Sequence, residues 1–390
     1  MISFQLSATS RFLPSFLPLL LVTVLRTFWL VPSAMAKAHV LLGLLLIGFS
    51  LSVVDARKKV GIYEIQRGNF SLKLTNWGAT VISVILPDSQ GNLNDVVLGF
   101  DTIPSYVNDT TYFGATVGRV ANRIDGAQFW IDGHHYRTFP NEGNNTLHGG
   151  NRGFSKVIWT VVEHDTGEFP YIKFYYHSFD GEQGFPGDLD VFVTYKIVDD
   201  YSLSITMTAG ALNKPTPVNL AHHTYWNLAG HDSGNILSNT VQLFASHYTP
   251  VDDVTLIPTG ELLTVEGTPY DFREPHVIGS RINETAFGYD FNYALDKHGD
   301  ENNLRKAAVV KDHKSGRQLE LWTNQVGLQF YSGNQLNNVV GKGGHVYKIY
   351  AGLCLESQGF PDSVNKVYFP SQARRPGQDY TNHMLYKFSF

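Results

Sequence analysis

Three stretches decide the fold class: Tyr171-Ile-Lys-Phe-Tyr-Tyr176, Val191-Phe-Val-Thr-Tyr-Lys-Ile-Val198 and Leu203-Ser-Ile-Thr-Met-Thr208. In each, residues alternate in character with a period of two, which puts one set on each face of a strand. Outward from them the same signal recurs. Val81-Ile-Ser-Val-Ile-Leu86 stops at the turn pair Pro87-Asp88. Gln128-Phe-Trp-Ile-Asp-Gly-His-His-Tyr-Arg137 reads as a hairpin folded on Asp132-Gly133. Val309-Val310 and Gln318-Leu-Glu-Leu-Trp322 read as another around Ser315-Gly316. No segment holds a helical period over three turns. Many short strands punctuated by Gly, Asn, Asp and Pro predict an all-β chain, a β-sandwich or barrel, with any site in the polar loops.

The composition agrees. Of 390 residues, 43% are hydrophobic, 13% aromatic and 17% charged. That is too apolar for a disordered chain and enough to bury a large core. The net charge of −5, with no basic block, argues against a nucleic-acid partner. One cysteine, Cys354, excludes an intramolecular disulfide framework and a cysteine-rich zinc site.

The N-terminus reads separately. Residues 1–56 look like a targeting segment. Val40-Leu-Leu-Gly-Leu-Leu-Leu-Ile-Gly-Phe49 has the length of a signal-peptide apolar region, and cleavage is expected near Ala56. Met35-Ala-Lys-Ala-His39 forms a complete charged leader to it, so Met35 is an alternative start. Upstream, Phe12 to Val31 is a second apolar stretch, read as a gene-model extension or part of a membrane anchor. Removing Arg11, Arg26, Lys37 and Asp55 leaves 27 basic against 34 acidic residues, net −7, which does not suit a membrane surface. Sequons at Asn69, Asn108, Asn144 and Asn283 fit a secretory, extracellular route. Residues 58–390 contain no linker or repeat and are read as one domain.

Four clusters interrupt the strand pattern with polar chemistry. Gly118-Arg-Val-Ala-Asn-Arg123 offers donors for sugar hydroxyls or carboxylates, or else a surface salt bridge. In Leu147-His-Gly-Gly150, two glycines mark close backbone approach beside His148, a residue type more often structural than catalytic. In Asn219-Leu-Ala-His-His-Thr-Tyr-Trp-Asn-Leu228, alternation puts His223 with Tyr225 on one face and His222 with Thr224 on the other. The adjacent histidines therefore point apart and share no metal. Leu353-Cys-Leu-Glu356 puts a carboxylate at the end of an apolar strand, either an edge glutamate in water or one held for a purpose. Cys354, within that run, reads as a small core residue. Dinucleotide-binding, P-loop, serine-elbow and HExxH patterns are all missing.

Taken together, these segments resemble the galactose mutarotase (aldose 1-epimerase) family over nearly all of residues 60–390. Gly288-Tyr-Asp-Phe-Asn292, Gly327-Leu-Gln-Phe-Tyr331 and the tail Tyr368-Phe-Pro370 to Arg375-Pro-Gly377 complete the motif set. The resemblance implies a single large antiparallel β-sandwich, a supersandwich, with an open carbohydrate cleft. It implies interconversion of the α and β anomers of free aldoses such as D-galactose and D-glucose, without cofactor or metal. By motif, His223 matches the general acid and Glu356 the general base. Asn122, Arg123, His148, Asp290 and Gln329 match substrate-binding positions, and Tyr225 flanks the sugar. The sequence departs from many relatives at His222, Thr224, Trp226 and Val326, none of them in the acid–base pair, so sugar preference is what they put in question.

The chemistry sets a further expectation. Ring opening needs a base at the C1 hydroxyl and an acid at the ring oxygen. His223 must then be protonated near neutral pH, which a neighbouring carboxylate, Asp290 or Glu356, would favour. Two other readings stand beside this one: a hexose-6-phosphate epimerase of the same superfamily, using Arg273, Arg374 or Arg375 for the phosphate, and a secreted carbohydrate-binding protein without turnover. A monomer is expected. A glycan at Asn144, four residues before His148, would crowd the cleft, so that sequon is expected to be unmodified.

Overall fold

The computed structural model describes residues 59–297 and 304–390. The targeting, anchor and start-site readings fall outside the described residues. Lys59–Phe390 forms one compact unit.

Period-two alternation becomes burial alternation. Leu189–Asp199 and Ser202–Ala211 bury every second residue and pair antiparallel, Val193 facing Met207. They sit inside a nine-stranded antiparallel sheet that runs in space from Thr160–Asp165 to His276–Val277. Asp379–Ser389 enters its middle, between Ser202–Ala211 and Gln318–Thr323, so the end of the chain closes the sheet. A six-stranded sheet contains three longer strands: β1 (Asp290–Ala294), β2 (Gly327–Tyr331) and β3 (Leu353–Gln358). Both sheets feed one core cluster, Val191, Val193 and Ile205 from the first, Leu328, Phe330, Leu353 and Leu355 from the second. Each such side chain contributes about 1.5–3 kcal/mol by leaving water. The result is the expected antiparallel β-sandwich.

The expected hairpins form as read. Ile131 pairs with His134 across Asp132-Gly133, both at positive φ, 53° and 77°, which gives the tight turn its right-handed strand twist. Lys311 pairs with Gln318 around Gly316. Among the described residues the one α-helix is Ile103–Val107.

One boundary differs from the reading. Glu356 is not at a strand end, because β3 continues through Ser357 and Gln358 and all six of its residues are buried. The sequence suggested a stop because polar residues begin there. Tertiary partners satisfy them instead: Ser357 Oγ bonds Thr323 and Asn382, and Gln358 Nε2 donates to Asn292 Oδ1. The edge-glutamate alternative is thereby excluded.

Candidate active site

Strand register builds one wall of the site. β1 pairs with β2 and β2 with β3, so Asn292, Gln329 and Glu356 lie side by side in one row. Asp290, Tyr331 and Cys354 form the next row, and Cys354 also pairs with Tyr225. Period two puts both rows on the same face. Their intervening neighbours Leu328, Phe330, Leu353 and Leu355 fill the core. The same three strands thus carry an apolar face inward and a polar face toward a cavity.

Loops supply the other wall. Arg123–Ile124 pairs with Thr146–Leu147, which brings the Asn122-Arg123 pair beside His148. Asn122, His148 and Tyr112 all hold positive φ, 60°, 50° and 62°, a strained state for such residues that clusters at functional sites. Gly149 explains the double glycine after His148: at φ +85°, a Cβ there would lie 1.9 Å from the Gly118 carbonyl oxygen.

All eight residues named from the sequence line one cavity of about 260 Å³: Asn122, Arg123, His148, His223, Tyr225, Asp290, Gln329 and Glu356. Its wall also includes Tyr331, which the sequence reading placed in a motif without a role, and Thr111, Tyr112, Glu142 and Leu336, which it did not name. Glu142 lies in a polar loop with no period to mark it, and Tyr112 follows two threonines that read as ordinary loop.

Polar side chains in the wall hold one another. Asn122 Nδ2 donates to Gln329 Oε1 at 3.1 Å, and Gln329 Nε2 donates to Asp290 Oδ1 at 2.7 Å. Arg123 grips Glu142 with two bonds, Nε at 2.5 Å and a terminal nitrogen at 2.7 Å. The salt bridge that was one reading of this cluster therefore exists, but at the cleft wall, with Arg123 buried. Arg119 points the other way and is buried against the carbonyls of Pro186 and Gly187. Glu356 Oε2, Asn292 Nδ2 and Gln358 Oε1 have no partner, at a cost of about 1–3 kcal/mol each, which a fold tolerates where function needs open valences.

His223 Nε2 lies 3.7 Å from Glu356 Oε1, with side chains 6% and 3% exposed. The His223 ring stacks on Tyr225 at 5.1 Å and meets His148 edge-on at 5.2 Å. His222 turns away as alternation requires, bonding Thr224 at 2.8 Å and packing on Tyr195. Tyr225 donates its hydroxyl to the Thr111 carbonyl.

Burial drives the protonation of the pair. It pulls His223 down to about 4 and His148 well below the usual imidazole range. It pushes Glu356 well above the carboxylate range, helped by the charge of Asp290 and opposed by Arg123. The expectation that a carboxylate keeps His223 protonated is therefore corrected. The carboxylate is itself desolvated, so burial disfavours the charged form of both groups.

The tautomer of His148 follows from its backbone neighbour. The backbone N–H of Asn122 can only donate, and it reaches His148 Nδ1 at 3.2 Å. Nδ1 must accept, so Nε2 of His148 carries the proton and is a donor. His223 Nδ1 faces the Cys354 sulfur at 3.6 Å, and its Nε2 faces Glu356. Ligand atoms of His148, His223 and Glu356 all lie within 4.8 Å of one another, a spacing that invites a metal. The protonated Nε2 of His148 fits that use poorly, since a metal needs its lone pair. A donor imidazole, a second imidazole and a carboxyl group around an open cavity make an acid–base site with hydroxyl-binding side chains.

A family model described as aldose 1-epimerase matches residues 61–387. The chain is 43% identical over 329 residues to galactose mutarotase of Mus musculus, covering 84% of this chain and 93% of that protein. It is 36% identical over 322 residues to aldose 1-epimerase of Escherichia coli (strain K12), covering 81% and 91%. Among solved structures, an aldose epimerase homologue from C. elegans superimposes with a TM-score of 0.79 at 31% identity, covering 85% of this chain and 99% of that one. Galactose 1-epimerase from Lactobacillus acidophilus NCFM shares the fold, with a TM-score of 0.71 at 24% identity over 85% and 98% of the two chains.

Proposed function

The chain belongs to the aldose 1-epimerase family and is an isomerase, and from that premise we propose that it interconverts the α and β anomers of free hexoses such as D-galactose and D-glucose, with Glu356 and His223 as the proton-exchanging pair. The observation that carries this reading is the buried approach of the two groups, 3.7 Å apart, at the wall of a sugar-sized cleft.

The pair holds one proton over two sites. With the closed ring bound, the productive arrangement has it on His223. The Glu356 carboxylate takes the C1 hydroxyl proton while His223 Nε2–H protonates the ring oxygen. The C1–O5 bond breaks, C1 becomes an aldehyde, and the proton is now on Glu356 with His223 neutral. Rotation about C1–C2 presents the other aldehyde face, and the reverse steps close the ring as the other anomer. Each group contributes about 10²–10⁴-fold. The resting protonation of the pair favours a second version, in which Glu356 is the acid at O5 and neutral His223 the base at O1. A crystal structure with galactose separates them by whether Glu356 lies against O1 or O5.

The remaining side chains are proposed to bind hydroxyls. His148 Nε2–H and Arg123 donate, Asp290 accepts, and Asn122 with Gln329 fixes Asp290 through the amide chain. Among the described residues lining the cleft, Arg123 is the one Arg or Lys, and Glu142 already engages it. Arg273 pairs with Asp271, Arg375 with Asp132, and Arg374 with the Ser371 and Ala373 carbonyls, and none of the three lines the cleft, which favours a free sugar over a phosphosugar. A secretory route for the chain, proposed from residues 1–56, also favours free sugars, and a monomer remains the proposed state. All four sequon asparagines are exposed, in keeping with that route.

Polarimetry of freshly dissolved α-D-galactose and α-D-glucose tests the reading. Accelerated relaxation that Glu356→Gln abolishes supports it. Binding by calorimetry without acceleration of either sugar would replace it with a carbohydrate-binding protein.

A further inference from the structure

We infer that Cys354 is a positioning residue for His223, its sulfur accepting the Nδ1–H so that Nε2 is always the nitrogen that passes the reacting proton; the inference rests on the acid–base reading above. Cys354 and Glu356 are two residues apart on β3 and so project from the same face. The Cys354 sulfur lies 3.6 Å from His223 Nδ1, within the range of a hydrogen bond to sulfur, while Glu356 Oε1 lies 3.7 Å from Nε2. One strand therefore addresses both nitrogens of a single imidazole. The thiol is fully buried. Its cross-strand partners Tyr225 and Tyr331 both pack their rings on His223, at 5.1 and 6.5 Å, so the ring is fixed in plane as well as in tautomer.

Sulfur suits this place because a thiol is a weak donor and a weak acceptor. A group that can only donate, placed opposite Nδ1, would take its lone pair, move the lone proton of neutral His223 to Nε2, and remove the acceptor that the proton cycle requires, whereas a thiol or a hydroxyl can accept from Nδ1–H. The other groups facing the ring, His148, Tyr112 and Glu356, lie toward the cavity and do not compete for Nδ1.

The full chain with ¹⁵N-labelled histidine, carrying Cys354→Ser or Cys354→Val, tests this. Polarimetry gives kcat and KM, and ¹⁵N shifts give the His223 tautomer independently of turnover. The expected outcome is wild-type Nδ1–H, largely kept by Cys354→Ser with kcat within about 3-fold. Cys354→Val, which fills the volume without an acceptor, should show mixed tautomers and a kcat lower by about 3- to 10-fold at unchanged KM. If Val fails to fold, Cys354→Ala takes its place. The reverse ranking, with the apolar variant fully active and Ser impaired, makes Cys354 a packing residue only. Wild-type His223 with its proton on Nε2 overturns the inference outright. A wild-type protein that holds Nδ1–H but shows no mutarotation removes the functional reading while leaving the tautomer assignment in place.

Discussion

Replacing Glu356 by Gln should move activity and stability in opposite directions. The carboxyl group is 3% exposed, its Oε2 has no partner, and Oε1 faces only His223 Nε2 at 3.7 Å. Gln keeps the shape but cannot exchange a proton, so turnover should fall by about 10²–10⁴-fold, which is roughly 3–5 kcal/mol of barrier. Stability follows from where the carboxyl titrates. Burial first, then Asp290, raise its folded pKa above the unfolded value, against the pull of Arg123. A raised carboxyl binds more protons in the folded state than in the unfolded one. Its contribution is fully present below about pH 4.3 and is lost as pH rises through the folded pKa, at up to about 1.4 kcal/mol per pH unit. Gln does not titrate and is spared that loss. The stability gap, variant over wild type, should therefore widen from about pH 5 upward. Urea unfolding midpoints across the neutral range, with polarimetry on the same samples, measure both halves. A gap that stays constant with pH, or a wild type more stable than the variant at neutral pH, would falsify the claim that the fold holds Glu356 against its ionisation.

Other outcomes follow from the same geometry. The acid limb of kcat/KM should fall near pH 4, where burial has placed His223, and not near the usual imidazole value of about 6.5; a limb near 6.5 contradicts a desolvated His223. With His148, His222 and His223 all depressed by burial, stability should decline as pH drops below about 6.5, and thermal melts across that range read it. Arg123→Lys removes the two-pronged bond to Glu142 and should lower kcat/KM by about 10- to 100-fold, whereas an unchanged value would exclude Arg123 from sugar binding. Gly149→Ala forces a Cβ toward the Gly118 carbonyl at positive φ and should cost more than about 1 kcal/mol, read from the urea midpoint. Asn144 is exposed but lies two residues from Glu142, which lines the cavity, so it should be unmodified, and full glycan occupancy there by glycopeptide mass spectrometry would count against this placement of the cleft.

Local pattern alone determined a good deal. Alternation with a period of two is a property of neighbouring residues, so Leu189–Asp199, Ser202–Ala211 and the Asp132-Gly133 hairpin could be read without a partner. The same alternation separates His222 from His223, and motif resemblance brings together residues as distant as Asn122 and Glu356. What the sequence could not contain was register across strands remote in the chain. The row Asn292, Gln329 and Glu356 exists because β1, β2 and β3 pair as they do, and no local signal encodes that alignment. Glu142 and Tyr112 escaped the reading because loop residues gain their role from what the fold sets opposite them. Cys354 looked like core, and its burial agrees, but only the tertiary structure put its sulfur against an imidazole nitrogen. Protonation was the furthest from reach. Carboxylate-next-to-histidine reasoning assumes charges in water, and it is the desolvation of both groups together, a property of the fold, that raises the Glu356 carboxyl and lowers the His223 imidazole.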